Sequence, residues 1–301
     1  MNLKYLLLAH ILFFCFSTNA QKSRLNEYGL RQNNLIDKDE ILDRALFHVI
    51  YEFSQVAFNE DDRFIQTDTM SLLIGNTYSV YATYNKTAKD SLLEATKKEV
   101  DLRRKVVSHY GTYEEFASKL NKGSNVGVWT KNWETADLFK NRQSGKLTII
   151  DELDGVGFVW LEESILPQEW EIGTDTMTIL GYTCRDASIY FRGREYMAWF
   201  AQDIPINDGP WKFYGLPGLI LQIEDRDKLF KFSTIGIKSV KDNTFIKIAK
   251  TKKYQEATLK QYRRLKDKNN ENVYYYNLQG SELNMFFGEN RIKYNPIELE
   301  E

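Results

Sequence analysis

Cysteine and histidine are the first candidates for nucleophilic chemistry in this chain. A thiol nucleophile needs a histidine within hydrogen-bonding reach. Cys184 lies in the predicted strand GYTCRDA, and folding would have to bring His48 or His109 beside it. A packed thiol is the preferred interpretation, because a free cysteine behaves as a small hydrophobic side chain. A thiol-dependent enzyme using Cys184 stays as an alternative.

Other catalytic patterns are missing from the sequence. His48 and Glu52 would share one face of a strand, but zinc needs three or four ligands and no third one lies near this pair. The chain also has no G-x-S-x-G nucleophile elbow and no phosphate-cradling glycine loop before a helix. We therefore predict no metal site, no cofactor and no catalytic residue.

Aromatic side chains gather in and before GPWKFYGLPGLI, which occupies residues 209–220. Pro205, Pro210 and Pro217 each lack an N–H donor and fix φ, so they interrupt strand pairing in this region. The segment therefore predicts an irregular crossover between two strands. The candidate ligand-binding residues are Trp199, Trp211, Phe213, Tyr214, Leu216 and Pro217.

Three interpretations of these residues stay open. They could plug one end of a sheet, because aromatic side chains are core formers. They could instead form a rim over an apolar cavity, with Trp211 and Tyr214 facing a ligand, or dock a partner protein. Residues 215–218 also predict a structural turn built by Gly215, Pro217 and Gly218, of type II, with positive φ at Gly218.

The first twenty residues, MNLKYLLLAHILFFCFSTNA, have the three parts of a secretory signal peptide. Lys4 precedes an apolar run over residues 5–16, and small residues precede a cleavage site after Ala20. The run is shorter than the roughly 20 residues that a membrane span needs. We predict export through a cleaved signal peptide and no transmembrane segment in the mature chain. The periplasm is the expected location, with secretion or the cell surface as alternatives.

Composition and periodicity predict a β-rich domain. Aromatic residues make up 14% of the chain, and aromatic and β-branched residues favour strands. A net charge of −2 gives an exported chain no electrostatic reason to bind nucleic acid. After a polar lead-in over residues 21–44, strand patterns dominate, except for a helical insertion predicted over 87–120 and a basic helix over 252–270. We predict hairpins around RGR at 192–194 and DRDK at 225–228, within one α+β domain over 45–301.

The string FYGLPGLI, from Phe213 to Ile220, resembles the motif of the GLPGLI family of exported bacterial proteins. Further similar pieces lie at residues 68–82, 179–213 and in KYNPIEL at 293–299. This resemblance implies a signal peptide and a β-rich fold, and it implies no settled activity. The I-x-G-Y-x-C pattern at 179–184 is also similar to periplasmic lipoprotein-carrier-like half-barrels. That likeness implies a curved, mainly antiparallel sheet with a few covering helices, which holds an acyl chain or another apolar ligand.

The expected function is therefore non-enzymatic. The leading hypothesis is an exported binding or carrier protein for an apolar small molecule, lipid or peptide in the cell envelope. The alternative is an accessory scaffold for another envelope protein. A carrier needs an internal cavity, a scaffold needs an exposed apolar patch, and a thiol enzyme needs a histidine beside Cys184.

Overall fold

The fold is known from a computed structural model of the chain. It describes residues 31–32, 39–58, 63–84, 105–110, 126–129, 136–153, 156–165, 168–249, 253–270, 272–279, 282–289 and 295–299. The predicted signal peptide over 1–20 and most of the polar lead-in lie outside the described residues.

Strands account for most of the described chain, and one helix is found among these residues. In the first half they are β1 (Arg31–Gln32), β2 (Glu40–Arg44), β3 (Phe47–Phe58), β4 (Arg63–Ile74), β5 (Tyr78–Thr83), β6 (Lys105–Tyr110), β7 (Val126–Trp129), β8 (Asp137–Asn141), β9 (Lys146–Leu153) and β10 (Gly157–Ser164). The second half contains β11 (Glu171–Ile179), β12 (Tyr182–Phe191), β13 (Arg194–Ala201), β14 (Leu219–Asp225), β15 (Phe230–Ser239), β16 (Phe245–Ile248), β17 (Tyr254–Glu256), α1 (Leu259–Asn270), β18 (Asn272–Gln279) and β19 (Glu282–Glu289).

Thirteen of the described strands form one sheet. Their order is β1-β17-β10-β9-β8-β5-β4-β3-β15-β14-β13-β12-β11. Neighbours pair antiparallel, except that β10 and β17 run parallel. The sheet is open, with β1 at one edge and β11 at the other. The prediction of a β-rich, mainly antiparallel sheet is confirmed.

The sheet curls so strongly that its two ends approach each other. Glu163, on β10, accepts a hydrogen bond from Arg192, at the β12–β13 turn, at 2.8 Å. Eight strands lie between β10 and β12 in the sheet order. In a flat sheet these two strands would be roughly 40 Å apart, at about 4.8 Å per strand. The contact therefore requires a curved sheet that wraps around an interior, as the half-barrel prediction expects.

The core fills the inside of this curl. On β3, Val49, Tyr51 and Phe53 are buried while Glu52 between them is exposed, because alternate side chains of a strand point to opposite faces. Buried residues of β4, β9, β10, β13 and β15 join them in one cluster. The Tyr51 hydroxyl donates to the Ile220 carbonyl at 2.7 Å and links β3 to β14 across the interior.

Helix α1 packs against the same core. Thr258 caps it, because the Thr258 hydroxyl accepts a hydrogen bond from the backbone N–H of Gln261 at 3.3 Å. In return, the Gln261 side-chain oxygen accepts a hydrogen bond from the backbone N–H of Thr258 at 2.8 Å. This reciprocal capping box defines where the helix starts. Tyr262 and Leu265, three residues apart on one face, are buried. The prediction of a helix over 252–270 is confirmed for Leu259–Asn270, whereas Tyr254–Glu256 form β17.

Two smaller sheets complete the described residues. β2 pairs with β16, and β6, β19, β18 and β7 form a four-stranded sheet in that order. The helical prediction over 87–120 is wrong for Lys105–Tyr110, which form β6. The adjacent β-branched residues Val106 and Val107 favour an extended backbone over a helix. The rest of the predicted insertion lies outside the described residues.

Both predicted hairpins are present. β12 and β13 pair up to Phe191 and Arg194, so the loop is Arg192-Gly193. Both loop residues have positive φ, at 52° and 85°, as a two-residue turn of type I′ requires. β14 and β15 form the second hairpin around residues 225–228.

Candidate functional site

The segment between β13 and β14, residues 202–218, enters the inside of the curled sheet. Phe213 is fully buried at its centre. The Phe213 ring lies 4.7 Å from the Tyr196 ring and 5.2 Å from the Trp211 ring, measured between centroids. Leu216 is buried in the same cluster. Phe213 and Leu216 therefore act as a plug, and we call residues 202–218 the plug segment.

Polar contacts from two directions anchor the plug segment. Lys140, on β8, forms a buried ion pair with Asp208 and donates to the Gly209 carbonyl at 2.7 Å. The Asp208 carboxylate also accepts the Gly209 N–H at 2.8 Å. From the residues before β11, the Trp170 indole donates to the Tyr214 carbonyl at 2.8 Å. These bonds satisfy backbone groups that leave regular strand pairing inside the protein.

The turn in the plug segment differs from the predicted type II turn. Positive φ occurs at Gly215 (105°) and at Trp211 (50°), and Gly218 has no positive φ. Gly218 is needed for space instead, because a Cβ there would lie 2.3 Å from the Ala201 carbonyl oxygen. Trp211 lies inside a tight turn, which is closed by a hydrogen bond from the Phe213 N–H to the Pro210 carbonyl at 3.0 Å. A bulky residue with positive φ is strained, and such strain concentrates at functional positions.

A cavity of about 260 Å³ lies beside Trp211. Ala136, Leu138 and Ile149 give it an apolar wall, and Trp211 borders it. Helix α1 contributes further lining, including Tyr262. Small-molecule sites are concave and mostly apolar with a few placed polar groups. The size of this cavity suits a small ligand.

Charged side chains line another part of the wall, and they belong to a cluster of ion pairs. Lys212 is about 5% exposed and forms ion pairs with Glu163, at 2.8 Å, and with Glu298. Arg192 pairs with Glu163 at 2.8 Å, and Arg263, on α1, pairs with Glu298 at 2.8 Å. Burial raises the pKa of Glu298, but the charge of Lys212 and hydrogen bonds from Arg263 and Lys212 outweigh it and hold that pKa below its ordinary value. Glu298 is therefore an anion inside the protein.

Residues 295–299 form an irregular segment across the cavity, which we call the strap. Arg194, on β13, is buried and donates to the Pro296 carbonyl at 2.9 Å and the Ile297 carbonyl at 3.2 Å. The Leu299 N–H donates to the Arg192 carbonyl at 2.9 Å. The Arg194 side chain and one backbone hydrogen bond thus hold the strap where a strand ladder would otherwise be needed.

A second buried polar group lies where α1 meets β9. The Asp151 carboxylate accepts from the Tyr262 hydroxyl at 2.8 Å and from the Lys266 ammonium at 3.0 Å. Lys266 is 7% exposed and also lines the cavity. This cluster fixes the face of α1 that borders the cavity.

The predicted site residues do not lie together. Trp211 borders the cavity, while Phe213 and Leu216 lie in the core beneath it. Tyr214 is half-buried, with its hydroxyl donating to the Ile165 carbonyl at 2.9 Å, and burial raises its pKa. Pro217 is exposed, and Trp199 lies on the face of β13 opposite the buried Ala198 and Phe200.

Cys184 and His48 are not brought together. Cys184 is fully buried, its thiol lies 3.6 Å from the Tyr182 carbonyl, and burial raises the pKa of the thiol. His48 lies on β3, its Nε2 is 2.8 Å from the Ser71 hydroxyl, and burial lowers its pKa. Three strands separate β3 from β12, a lateral distance of roughly 19 Å. The His109 side chain lies outside the described residues.

A groove of about 470 Å³ lies on the outer face of β12 and β13. Tyr190 and Met197 in this groove are 62% and 50% exposed. Glu169, Glu171 and Glu195 lie in it as well, together with Arg226, which pairs with Glu195. The groove therefore combines apolar side chains with carboxylates on a solvent-facing surface.

Sequence reasoning missed the charged residues of the cavity. A lysine between Trp211 and Phe213 is a usable signal, because a plug that buries both aromatics also buries Lys212, and a buried cation needs a carboxylate. Glu298 lies in KYNPIEL, which resembles a family motif but carries no sign of a buried carboxylate. Nothing in the sequence places Glu163 or Arg263 beside these two.

In the described residues, no three or more histidine, cysteine, aspartate or glutamate side chains are grouped to hold a metal ion. None of the described helical residues forms a helix long and apolar enough to cross a membrane.

One known family matches a short part of the chain. The family described as "Protein of unknown function (Porph_ging)" matches residues 191–222. This range starts at the β12–β13 turn and covers the plug segment. No curated protein matches the chain.

Two solved structures resemble the fold at low identity. "Structure of PNGF-II in P21 space group" is 12% identical, with a TM-score of 0.46, and the match covers 76% of this chain and 35% of the chain in that structure. "Structure of PNGF-II in C2 space group" is 13% identical, with a TM-score of 0.43, and the match covers 75% of this chain and 34% of the chain in that structure. The chain thus spans about a third of the length of these structures, and no functional conclusion follows from them.

Proposed function

We propose that the protein is an exported, non-enzymatic binding protein of the cell envelope that holds a small apolar or amphiphilic ligand beside Trp211. The observation that carries this proposal is the cavity of about 260 Å³ against the plug segment. Its wall joins an apolar side, at Leu138 and Ile149, to buried charges. Such a combination supplies burial for an apolar ligand and polar groups that orient it.

The plug segment gives this proposal a physical basis. Phe213 and the Lys140–Asp208 pair anchor the segment below the cavity, so Trp211 is presented from a rigid support. Rigid, preorganised contacts lower the entropic cost of binding. Residues 213–220 lie within the short family match over 191–222, and we propose on the motif that the chain belongs with the exported GLPGLI proteins. Export to the periplasm is part of the same proposal.

Native mass spectrometry of the chain, purified without detergent from the envelope fraction of its host, tests the proposal. We expect a reproducible small adduct that is lost in Trp211→Ala and retained in Trp199→Ala. Trp199 is a matched control, because it is a half-buried tryptophan that does not line the cavity.

A cavity-filling variant separates binding from folding. Ala136→Leu adds apolar volume to the cavity wall, and we expect it to abolish the adduct while circular dichroism stays unchanged. A bare polypeptide mass in the wild-type chain, or an adduct that survives Ala136→Leu, would contradict binding at this cavity.

A scaffold function is the second candidate, and the outer groove favours it. The exposed Tyr190 and Met197 beside Glu169 and Glu171 fit a partner with apolar and basic side chains. Photo-crosslinking from position 197 in the host tests this candidate, with position 235 as control because Ile235 is 53% exposed but does not line the groove. A single crosslinked protein at 197 alone supports it, and equal patterns at both positions count against it.

A further inference from the structure

The strap places a carboxylate of the chain itself in the wall of the cavity. Glu298 lies between Lys212, with which it forms an ion pair, and Arg263, at 2.8 Å. All three residues line the cavity, as does Trp211. The Glu298 side chain is only 10% exposed. The cavity therefore already binds one carboxylate.

The two cations make a neutral occupant of this position unfavourable. Lys212 is about 5% exposed and pairs with both Glu163 and Glu298, and removing one carboxylate partner of a buried cation is unfavourable. If the strap lifted away and nothing replaced Glu298, Lys212 would keep Glu163 as its described carboxylate partner and Arg263 would lose its contact with Glu298. An incoming carboxylate avoids this cost, because one anion leaves as another enters.

We propose that the ligand of the cavity is an amphiphile with a carboxylate, which replaces Glu298 against Lys212 and Arg263 as the strap moves aside. This inference rests on the proposed binding function and specifies its ligand class. The apolar wall at Leu138, Ile149 and Trp211 takes the hydrocarbon part of the molecule. The volume of about 260 Å³ fits a short acyl chain.

The way the strap is held makes this exchange feasible. Hydrogen bonds join the strap to the β12–β13 hairpin. Arg194 donates to the Asn295 side chain and to the carbonyls of Pro296 and Ile297, the Tyr196 hydroxyl donates to the Ile297 carbonyl, and the Leu299 N–H donates to the Arg192 carbonyl. Each such bond contributes modestly in net terms. The charged contacts of Glu298 are the stronger ones, and a ligand carboxylate restores these contacts.

Titration calorimetry with octanoate and 1-octanol, which differ in the head group alone, tests the inference on the full chain. We expect wild-type protein to bind octanoate at least about tenfold more tightly than octanol, since charge-assisted hydrogen bonds are worth more than neutral ones. In Glu298→Gln the internal competitor loses its charge, and octanoate should bind about fivefold more tightly or better. Octanol affinity should not change in that variant.

Two controls keep the test decisive. Glu162→Gln removes an exposed carboxylate outside the cavity and should leave both affinities unchanged. Hydrogen exchange at residues 295–299 should rise when octanoate binds, which reports release of the strap without a mutation. Circular dichroism checks that Glu298→Gln is folded.

The outcomes separate this inference from the proposed function. Equal affinity for octanoate and octanol overturns the carboxylate site but leaves a cavity that binds apolar ligands. Weaker octanoate binding in Glu298→Gln, or unchanged exchange at the strap, overturns the replacement of Glu298. Failure of both probes to bind overturns the inference, while the native mass spectrum decides the broader function separately.

Discussion

Lys140 is a buried cation whose partner, Asp208, is fully buried as well. Asp208→Asn leaves the ammonium inside the protein without its carboxylate, and burial already lowers the pKa of Lys140. We expect the free energy of unfolding to fall by about 3–5 kcal/mol, as for other broken buried pairs. Urea denaturation at neutral pH measures the change.

The same substitution at an exposed pair is the control. Asp39 pairs with Lys247 at 3.1 Å, and the two side chains are 38% and 58% exposed. Asp39→Asn should change the free energy of unfolding by less than about 1 kcal/mol. Equal losses in the two variants would mean that the Lys140–Asp208 pair does not anchor the plug segment.

Gly218 is limited by space, not by its φ angle. In Gly218→Ala the new methyl group would lie 2.3 Å from the Ala201 carbonyl oxygen, so β13 and β14 must separate locally. We expect a loss of about 1–3 kcal/mol in the free energy of unfolding. Thermal or urea denaturation measures it, and Gly236→Ala is the control, because its nearest contact is Ile50 at 3.7 Å. If Gly218→Ala lowers the free energy of unfolding no more than Gly236→Ala does, the close approach of Gly218 to the Ala201 carbonyl is contradicted.

At this scale the sequence predicts burial better than contacts. The burial of Phe213 and Leu216 follows from the tendency of large apolar residues to form cores. The positive φ of Trp211 does not follow, because the sequence offers Gly215 and Gly218 for that role and tertiary contacts decide which residue takes it. The Glu163–Lys212–Glu298 contacts join residues that are far apart in the chain, and no local pattern encodes them.

The strap is an element whose attachment depends on pH. The pKa of Glu298 is lowered from its ordinary value of 4.5, so its ionised form stabilises the docked strap above that value. The stabilisation is lost as the pH falls through the lowered pKa. Urea denaturation should show wild-type protein more stable than Glu298→Gln near pH 7, with the difference shrinking as the pH falls below 4.5. A difference independent of pH would show that the charge of Glu298 does not hold the strap.

Hairpins are the elements that the sequence predicts well. The Arg192-Gly193 turn and its flanking strands are local, so short-range chemistry determines them. Lys105–Tyr110 show the opposite case. The residues around them have helical spacing, but Leu283 to Phe287 on β19 pair with Val106 to Tyr110, and this distant pairing overrides local preference.

At the scale of the whole molecule, Glu163 joins the two ends of the sheet. Its carboxylate accepts hydrogen bonds from Arg192 and Lys212, each at 2.8 Å. Glu163→Gln should lower the free energy of unfolding by about 2–3 kcal/mol, because these charge-assisted bonds are weakened inside the protein. Hydrogen exchange at β10 and at the β12–β13 turn should rise together.

The adjacent residue provides the control for this prediction. Glu162 points to the opposite face and pairs with Lys146, with the two side chains 44% and 53% exposed. Glu162→Gln should cost less than about 1 kcal/mol. If it raises exchange as much as Glu163→Gln, the contact of Glu163 with Arg192 does not hold the curl.

The sequence predicts the class of this fold but not the arrangement of its strands. Short strands with polar breaks indicate an antiparallel sheet. The order of strands depends on pairs such as β3 with β15 and β1 with β17, and single-sequence periodicity carries no information on partners. The cavity arises only after the sheet has curled around the plug segment, so no pattern in the sequence could locate it.

The pairing of β3 with β15 has a consequence for the growing chain. Gln55 pairs with Phe230 and Phe47 with Ser239, so the partners lie roughly 180 residues apart. At about 5–20 residues per second, β3 waits on the order of 10–40 s during synthesis before its neighbour exists. Throughout that interval β3 presents an unpaired, apolar edge, which is the kind of surface that templates aggregation. The β3–β15 part of the sheet therefore cannot close on the growing chain until residue 239 has emerged.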